Sequence, residues 1–563
     1  MADEVEKINA EVNAEVIAVY PNKIKIVVDN LEDFRLAGEV LQVGSYLKIS
    51  DNENAILMAI IENFSIVVND AGKRDYAIEA LPLGMIKNGK FIRGGDSLAI
   101  PPKKVEPATE EEIKKIYEQS IDPKEKFTFA SLSSNPNIRI SVNGNKFFNK
   151  HVAIVGSTGS GKSHTLSTII QKAVSEKSGD FSINNSHVII FDIHSEYKSA
   201  FPTANFIDIK NLVLPYWLLN SEELEEFFLD TEANDHNQKF VFKEAIVSDR
   251  KKHFKGIEAN KKKIHYDSPL YFDIDYVLEY ANMKNTELVD SGEVYAASNK
   301  EKAGQPKLTN GSLNGKLTNF VNRLENKIND NRLDFLLSQK SKDITFEETL
   351  NQLIGYQTGK QSNVTVIDLS GVPFEVLSIT VSLISRMVFE YGYFYKRLRN
   401  AKDQNEKINN DIPILLVYEE AHKYVPNSDL VKYRSSKKSI ERIAKEGRKY
   451  GITLLLLSQR PSEISETIFS QCNNFIAMRL TNPVDQGYVK KLLPDTLGTL
   501  IDTMPSLKQG EALLVGESII LPSIVQIDKC VNEPSSNDIP YWELWKEEWK
   551  DMSIDEIKTE WYN

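Results

Sequence analysis

The sequence predicts an α/β protein with a mostly parallel sheet, a helical insertion and a small N-terminal β-barrel. Three observations carry this prediction. Short apolar runs alternate with helical patterns after residue 150, charged helical stretches occupy about 220–350, and short strands with turn signals precede residue 105. Alternating strands and helices are typical of parallel sheets buried on both faces, and closely spaced short strands are typical of barrels.

The N-terminal region alternates short apolar runs with turn residues. Pro21-Asn22 and residues 51–54 each separate two such runs, and Pro101-Pro102 ends the pattern. This spacing predicts antiparallel hairpins that form a small barrel. The predicted elements are strands at 15–20, Lys23–Val28, 46–50 and 56–61, and a connecting helix at Glu110–Gln119.

The second half of the prediction concerns the core sheet and the division of the chain into regions. Core strands are predicted at His151–Val155, 187–191, 364–369, Ile414–Tyr418, 452–457 and 475–479, with a helix at Lys162–Ser175. We divide the chain into a barrel for assembly or partner docking (1–105), a first core part (106–220), a helical insertion (221–350), a second core part (351–530) and a C-terminal tail (531–563).

Composition narrows the class of protein. With 563 residues and 41% hydrophobic residues, the chain is long enough for more than one domain with an apolar core. Its N-terminus lacks a secretory pattern, and runs such as 453–457 are far shorter than the roughly 18–20 residues of a membrane span. Two cysteines, Cys472 and Cys530, match no disulfide or metal pattern. We expect a soluble, cytoplasmic protein with no membrane partner.

The net charge limits the kinds of partner that the protein can bind. A net charge of −12 argues against a protein that coats DNA with its outer surface, because phosphate neutralisation needs cations. Composition alone therefore favours a partner other than nucleic acid, although a narrow basic channel or basic loops stay possible. The clusters Arg250–Lys252 and Lys261–Lys263 are either solvated helical faces or, for the second, a loop that lines a pore.

A glycine-rich motif follows the strand at His151–Val155. Residues 156–163 match G-x-x-x-x-G-K-[ST] at every fixed position, between an apolar strand and a helix. The glycines let main-chain N–H groups face phosphates, Lys162 reaches the β- and γ-phosphates, and Ser163 ligates Mg²⁺. The sequence therefore predicts a P-loop NTPase core of the RecA type that binds ATP and Mg²⁺. The candidate nucleotide-binding residues are Gly156, Ser157, Thr158, Gly159, Ser160, Gly161, Lys162, Ser163 and His164.

A second acidic site is expected at the end of another core strand. Ile414–Tyr418 leads into Glu419 and Glu420. Glu419 is the candidate metal ligand, holding Mg²⁺ through water, and Glu420 the residue that polarises the attacking water. Many P-loop enzymes have Asp where this chain has Glu419. The competing interpretation is an ordinary helix start, where acids are favoured by the helix dipole.

Further candidates lie at strand ends and near the acidic motif. Gln459 follows the strand at 452–457 and is the candidate sensor of the γ-phosphate, or else a plain polar strand end. Asp192 and Glu196 follow the strand at 187–191, at an edge where ligands bind in open α/β sheets, while His194 is more simply structural. A cation from a neighbouring subunit could stabilise the transferring phosphoryl group, with Arg448 preferred over surface ion pairs. The other candidates are Arg442, Arg460 and Lys150.

Several blocks of sequence, in order, resemble the HerA family, in the superfamily that also contains the FtsK DNA pumps. They are HVAIVGSTGSGKSHT (151–165), IFDIHSEY (190–197), LPYWLL (214–219), VIDLSGVP (366–373), LLVYEEAHKYVP (415–426), IAKEGRKYGITLLLLSQRP (443–461) and QGEALLVG (509–516). The blocks extend over about 150–528, and the N-terminal barrel pattern is similar to the barrel that precedes the family's ATPase core.

The resemblance implies a homo-hexameric ring that binds ATP at subunit interfaces and moves double-stranded DNA through its pore. It also implies an effector: a NurA-type nuclease for end resection in archaea, or a nuclease or sirtuin-like protein in bacterial anti-phage defence. The leading hypothesis is thus an ATP-driven DNA translocase or helicase. The alternative is an ATP-gated ring scaffold that regulates an effector without processive translocation. A metabolic kinase is disfavoured, because an acidic strand end beside Gln459 suits water activation.

Overall fold

The computed structural model describes most of the chain. The described residues are 14–20, 23–28, 34, 41–52, 55–68, 74–87, 90–93, 104–229, 236–295, 304–357, 360–402, 410–428, 435–493, 495–536 and 539–562.

The N-terminal region is a closed antiparallel barrel, as predicted. Its strands are β1 (Ala14–Tyr20), β2 (Lys23–Val28), β3 (Tyr46–Asn52), β4 (Ala55–Val68), β5 (Arg74–Lys87), β6 (Lys90–Arg93) and β7 (Lys104–Pro107). Six of them close in the order β1–β2–β5–β4–β3–β7, and β6 adds to β5. Alternate residues such as Ile24, Ile26 and Val28 point into the apolar core, as strand geometry requires. The predicted turns at 21–22 and 53–54 lie outside the described residues.

A helix and a hairpin connect the barrel to the sheet. Helix α1 (Glu110–Gln119) has the predicted bounds, and a capping box between Thr109 and Glu112 begins it. The buried Tyr117 hydroxyl lies 2.6 Å from that of Tyr46 in the barrel and 2.5 Å from Ser523 Oγ in the sheet. One side chain thus ties both regions together. Next come β8 (Lys126–Leu132), β9 (Asn135–Asn143) and α2 (Gly144–Phe148).

The first core part and the insertion follow. Core elements are β10 (His151–Val155), α3 (Lys162–Ser175), β11 (His187–Asp192) and β12 (Asn205–Ile207). Insertion elements are α4 (Ser221–Phe228), α5 (His236–His253), α6 (Ile274–Thr286), β13 (Leu288–Val294), β14 (Pro306–Asn310), α7 (Thr318–Ile328), α8 (Asp334–Leu337), α9 (Gln339–Asp343) and α10 (Phe346–Ile354).

The insertion differs from the prediction in two ways. It is largely helical, but β13 and β14 form a two-stranded ribbon, and every residue of β13 is exposed. Arg250 of the predicted basic cluster is buried, and its guanidinium donates to the carbonyls of Leu270, Tyr266 and Trp217. Those bonds hold the insertion together, so the Arg250–Lys252 cluster is not a uniform solvated face. Charge alone could not reveal this.

The second core part completes the sheet. Its elements are β15 (Tyr356–Gln357), β16 (Lys360–Gln361), β17 (Val364–Asp368), α11 (Phe374–Lys402), β18 (Ile414–Tyr418), α12 (Ser435–Glu446), β19 (Ile452–Ser458), α13 (Glu466–Phe469), β20 (Cys472–Ala477), α14 (Pro483–Leu492), β21 (Glu511–Gly516), β22 (Ser523–Ile527), α15 (Tyr541–Leu544) and α16 (Ile554–Tyr562). Short 3₁₀ turns lie at Pro123–Glu125, Tyr216–Leu218, Glu258–Lys263, Asn331–Leu333, Ala421–Lys423, Gly447–Tyr450, Pro461–Glu463 and Asp495–Ser506.

The core is an 11-stranded sheet in the order β12-β17-β11-β18-β19-β10-β20-β21-β22-β8-β9. The first seven strands are parallel, which confirms the α/β prediction, and the last four pair antiparallel. The strand predicted at 475–479 instead runs Cys472–Ala477, because its parallel pairing with β10 sets both ends. In the described part of the chain, no helix has the length and apolar character needed to cross a bilayer.

Candidate nucleotide site

The P-loop joins β10 to α3 at the carboxyl edge of the parallel strands. Gly159 and Gly161 adopt φ of +70° and +104°, a region that L side chains rarely occupy. A Cβ on Gly156 would lie 2.6 Å from Ser160 Oγ, inside the loop. The loop is closed from outside by Gly510, whose N–H donates to the carbonyl of Ser160 at 3.0 Å. The glycine positions of the motif are thus required by this tight backbone.

Lys162 begins α3 and lies inside the loop. Its ammonium donates to the carbonyl of Ser157 at 3.2 Å, and the residue is 8% exposed. Burial lowers the pKa of Lys162, while the nearby carboxylates of Glu420, Glu196 and Glu419 oppose that shift. Ser163 and His164 follow in the same turn, both half-buried. A cation held among acids, beside main-chain amides, is suited to polyphosphate.

The acidic pair at the end of β18 lies beside this cation. Glu419 and Glu420 are each 5% exposed, and Glu420 has a φ of +47°. A left-handed non-glycine residue costs roughly 1–3 kcal/mol and is common at functional sites. The competing interpretation of an ordinary helix start does not describe this geometry, because only the short turn Ala421–Lys423 follows.

Glu419 belongs to a buried cluster of acids. Its Oε2 accepts the N–H of Ile193 at 2.9 Å. Burial, together with the charges of Asp192 and Glu196, raises the pKa of Glu419 to about 9. Carboxylate oxygens are the ligands that Mg²⁺ prefers, and a bound cation would favour the ionised form of these crowded carboxyls. Among the described residues, no three His, Cys, Asp or Glu side chains converge on one point to enclose an ion. Mg²⁺ commonly keeps several waters and takes one or two protein oxygens plus phosphate oxygens, and Glu196 beside the Ser163 hydroxyl offers such a partial set.

Glu196 and Asp192 have separate tasks. Glu196 Oε2 accepts the hydroxyl of Ser163 at 2.8 Å, so it lies directly at the candidate metal position. Asp192 instead accepts main-chain N–H groups of Glu196 at 3.2 Å and Tyr197 at 2.9 Å, which shapes the turn. His194 is exposed. Sequence position alone could not separate these roles.

A chain of hydrogen bonds links the P-loop to Glu420 through Gln459. Thr158 Oγ1 donates to Gln459 Oε1 at 2.5 Å, and Gln459 Nε2 donates to Glu420 Oε1 at 2.6 Å. Burial acts to raise the pKa of Glu420, but His422, Lys162 and Gln459 together lower it. Glu420 is therefore an ionised, oriented carboxylate, as a base for water must be.

Sequence reasoning does not single out His422. Its Nδ1 lies 3.3 Å from Glu420 Oε2 and 3.3 Å from Ser458 Oγ. The signal that could have found it is its position two residues after Glu420 in the E-E-A-H stretch.

Of the four residues proposed to act on a neighbouring subunit's nucleotide, only Arg460 lies near this subunit's own site. Arg448 and Lys150 lie at the amino-terminal edge of β10 and β19, about 16 Å from the P-loop by strand length. There Arg448 Nη1 lies 3.3 Å from Asn473 Oδ1, and Lys150 pairs with Glu517 at 3.0 Å. Arg442 stacks over Phe389. Arg460 lies near Glu420 but is exposed and pairs with Glu463 at 2.7 Å.

Several known proteins are similar to this chain. The family described as "Helicase HerA, central domain" matches residues 127–388. The DNA double-strand break repair helicase HerA of Saccharolobus solfataricus is 29% identical over 438 residues, covering 76% of this chain and 73% of that protein. A probable helicase of Methanocaldococcus jannaschii is 24% identical over 552 residues, covering 93% of each chain.

Solved structures of low similarity include VirB4 of Thermoanaerobacter pseudethanolicus, with a TM-score of 0.44 and 15% identity over 75% of this chain and 98% of that one. The conjugative coupling protein TrwB has a TM-score of 0.43 and 9% identity, covering 76% of this chain and 93% of its own. With a matching central region and relatives that align along most of its length, this chain is similar to the HerA helicases, and with its assembled P-loop site it is an ATP hydrolase of the helicase type.

Proposed function

We propose that this chain is a cytoplasmic, ATP-driven DNA translocase or helicase that hydrolyses ATP at the subunit interfaces of a homo-hexameric ring. The observation that carries the proposal is the hydrogen-bonded chain Thr158–Gln459–Glu420. It connects the loop that would hold phosphate to the carboxylate that would activate water. A motor needs such a link, because nucleotide state must reach the groups that do the work.

Each residue has a task in hydrolysis. Main-chain N–H groups of 156–163 bind the phosphates, and Lys162 neutralises the β- and γ-oxygens. Ser163 and Glu419, with Glu196 beside them, would hold Mg²⁺, which would neutralise the phosphate charge. Glu420 accepts a proton from the attacking water, and Gln459 holds its carboxylate in line.

The positions of two candidate cations support a ring. Arg448 and Lys150 are too far from their own P-loop to reach its phosphates. In a head-to-tail ring, a neighbour's amino-terminal edge could meet this subunit's carboxyl edge, and Arg448 could then stabilise the transferring phosphoryl group. Relatives named as DNA double-strand break repair helicases support double-stranded DNA as the substrate.

We further propose a nuclease or sirtuin-like effector as partner, in DNA end processing or in antiviral defence. The barrel region (1–105) would dock the partner. Its outer face exposes apolar side chains on two strands, Ile17 at 55%, Ile66 at 56% and Val68 at 61%. The same observation favours the second candidate function, an ATP-gated ring scaffold that assembles an effector without processive translocation.

The test measures ATP hydrolysis by the purified oligomer, with and without duplex DNA, beside Lys162→Ala and Glu420→Ala. We expect DNA to stimulate hydrolysis in the wild type and both variants to be inactive. An oligomer that hydrolyses ATP but neither binds nor responds to any form of DNA contradicts the motor. The scaffold is supported if an effector then needs this chain and ATP binding, but no translocation, for its own activity.

A further inference from the structure

An open groove of about 450 Å³ lies between the insertion and the core, outside the nucleotide site. We call it the α7 groove. Its walls are helix α7, the turn Asn331–Leu333 and the first residues of α11. Because α11 follows β17, the groove opens at the carboxyl edge of the sheet, the edge that also carries the P-loop.

Helix α7 has two chemically distinct faces. Phe320, Val321 and Leu324 are buried against the insertion. The groove side carries Asn319, Asn322 and Asn326, spaced three and four residues apart and therefore on one face. All three are exposed. Each amide both donates and accepts hydrogen bonds, so this face offers adaptable polar contacts rather than core packing.

The cations of the groove outnumber its acids. Arg323, Lys327 and Arg332 line it, against Asp330 and Glu375. Asp330 is already engaged by Arg332 through two bonds of 3.0 and 2.7 Å. This local excess of positive charge stands out in a chain whose net charge is −12.

Lys327 is the central cation. Its ammonium lies 4.6 Å from the centroid of the Phe227 ring, which holds the side chain in the groove. Burial lowers the pKa of Lys327, and Arg323 and Arg332 act in the same direction, against Glu375 and Asp330. A cation that is partly desolvated among other cations gains most from an added anion. The amino-terminal end of the long helix α11 adds its positive dipole at the same place.

We propose that the α7 groove binds the phosphodiester backbone of nucleic acid, with Lys327 on a phosphate oxygen and the three asparagines on sugar and phosphate oxygens. This inference rests on the proposed function and names a DNA contact for it. Arginine, lysine and asparagine are the side chains that supply such contacts. Binding here is electrostatic and tolerant of sequence, as a translocating motor requires.

A short connection joins the groove to the nucleotide site. Asp368, at the end of β17, accepts the Ser195 hydroxyl at 2.7 Å, beside Glu196, whose carboxylate bonds to Ser163. The N–H of Leu369 donates to the carbonyl of Asp192 at 2.7 Å, and residues 369–373 then lead to Pro373 in the groove wall. Phosphate contacts in the groove therefore bear on the segment that holds the candidate metal ligands.

The test measures duplex DNA binding by the full-length oligomer at several salt concentrations. Lys327→Gln should weaken binding about fivefold and reduce the salt slope by about 1, the signature of one lost phosphate contact. The isosteric pair Asn322→Asp with Asn326→Asp adds two negative charges at exposed positions and should weaken binding at least tenfold. Matched controls are Lys340→Gln on α9 and Asn282→Asp on α6, both exposed in the same insertion, and neither should change binding.

The outcomes separate the two proposals. Suppose that DNA binds to the wild type and stimulates it, while all groove variants behave as the wild type. The proposal that the α7 groove binds DNA is then wrong, and the proposal of a DNA translocase is unaffected. If the wild type binds no DNA, both proposals are wrong.

A further experiment titrates AMP into Lys162→Ala protein. Stoichiometric binding that Lys327→Gln abolishes would assign the groove to a small nucleotide and overturn the backbone assignment.

Discussion

The two edges of the parallel sheet, at the amino- and carboxyl-terminal ends of β10, β18 and β19, differ in how their buried polar groups are satisfied. At the amino-terminal end, the His151 ring is fully satisfied, its Nε2 donating to the carbonyl of Ala444 at 2.9 Å and its Nδ1 accepting the N–H of Leu454 at 3.0 Å. At the carboxyl end, Glu419 is buried among other acids, and Glu420 is held in left-handed backbone.

This difference shows that crowded acids and strained backbone occur at the carboxyl-terminal edge of the sheet. Satisfied buried groups stabilise a fold, while crowded charges and strained backbone persist only where the surrounding structure enforces them and a ligand benefits. Changes at the carboxyl end should therefore affect catalysis more than stability, and changes at His151 should do the reverse. Three predictions test that contrast.

The largest effect is expected for Glu420→Gln. The substitution keeps the shape of the side chain but removes the base that accepts a proton from water, so the hydrolysis rate should fall about 10³-fold. ATP affinity, measured by equilibrium titration, should change little. The thermal unfolding midpoint should not fall, because no packing is lost.

A matched double variant sharpens this prediction. Gln459→Ala should slow hydrolysis less than Glu420→Gln, and the two together should be no slower than Glu420→Gln alone, because Gln459 acts by holding that carboxylate. An additive loss would mean that Gln459 acts independently of Glu420.

A smaller loss of the hydrolysis rate, about 10²-fold, is expected for Arg448→Ala. Because Arg448 lies at the amino-terminal edge together with His151, this loss would be an exception to the contrast between the two edges. If Arg448 acts on a neighbour's nucleotide, mixing inactive Lys162→Ala and Arg448→Ala subunits should restore part of the hydrolysis rate. Some interfaces then combine an intact lysine with an intact arginine. Mixtures that stay at the level of the separate variants would confine Arg448 to its own subunit.

The smallest effect is a pH dependence of stability from His151. Burial lowers the pKa of His151 to about 4 from 6.5. Between these values the unfolded chain binds the extra proton, so stability is lost as the pH falls from 6.5 towards 4. At pH 5.5 the loss should be about 1.4 kcal/mol, a tenfold change in the unfolding constant.

Urea unfolding of the wild type and of His151→Gln between pH 7 and pH 5 measures this loss. The variant should be less stable at pH 7 but should have a shallower pH dependence. Equal slopes would show that other groups produce the acid sensitivity.

Much of the core could be predicted from the sequence, because its signals are local. The bounds of α1 and α3 coincide with the predicted ones, since capping residues and the glycine motif lie within a few positions of each helix start. The parallel core followed from apolar runs between helical segments. The β8–β9 hairpin could not be placed from the sequence, because it joins the sheet only through the distant strand β22. The β13–β14 ribbon carries no comparable signal, because its side chains are mostly exposed and form no apolar run.

The sequence by itself determined the phosphate-binding loop and its acidic partner strand, because contiguous residues and backbone sterics specify both. Only the tertiary structure decided which polar side chains meet there. Ser163 with Glu196, Glu420 with Gln459, and buried Arg250 with its three carbonyls are contacts between separate segments. Hydrogen bonds act over about 3 Å, so contacts between residues far apart in the chain exist only once the sheet brings its strand ends together.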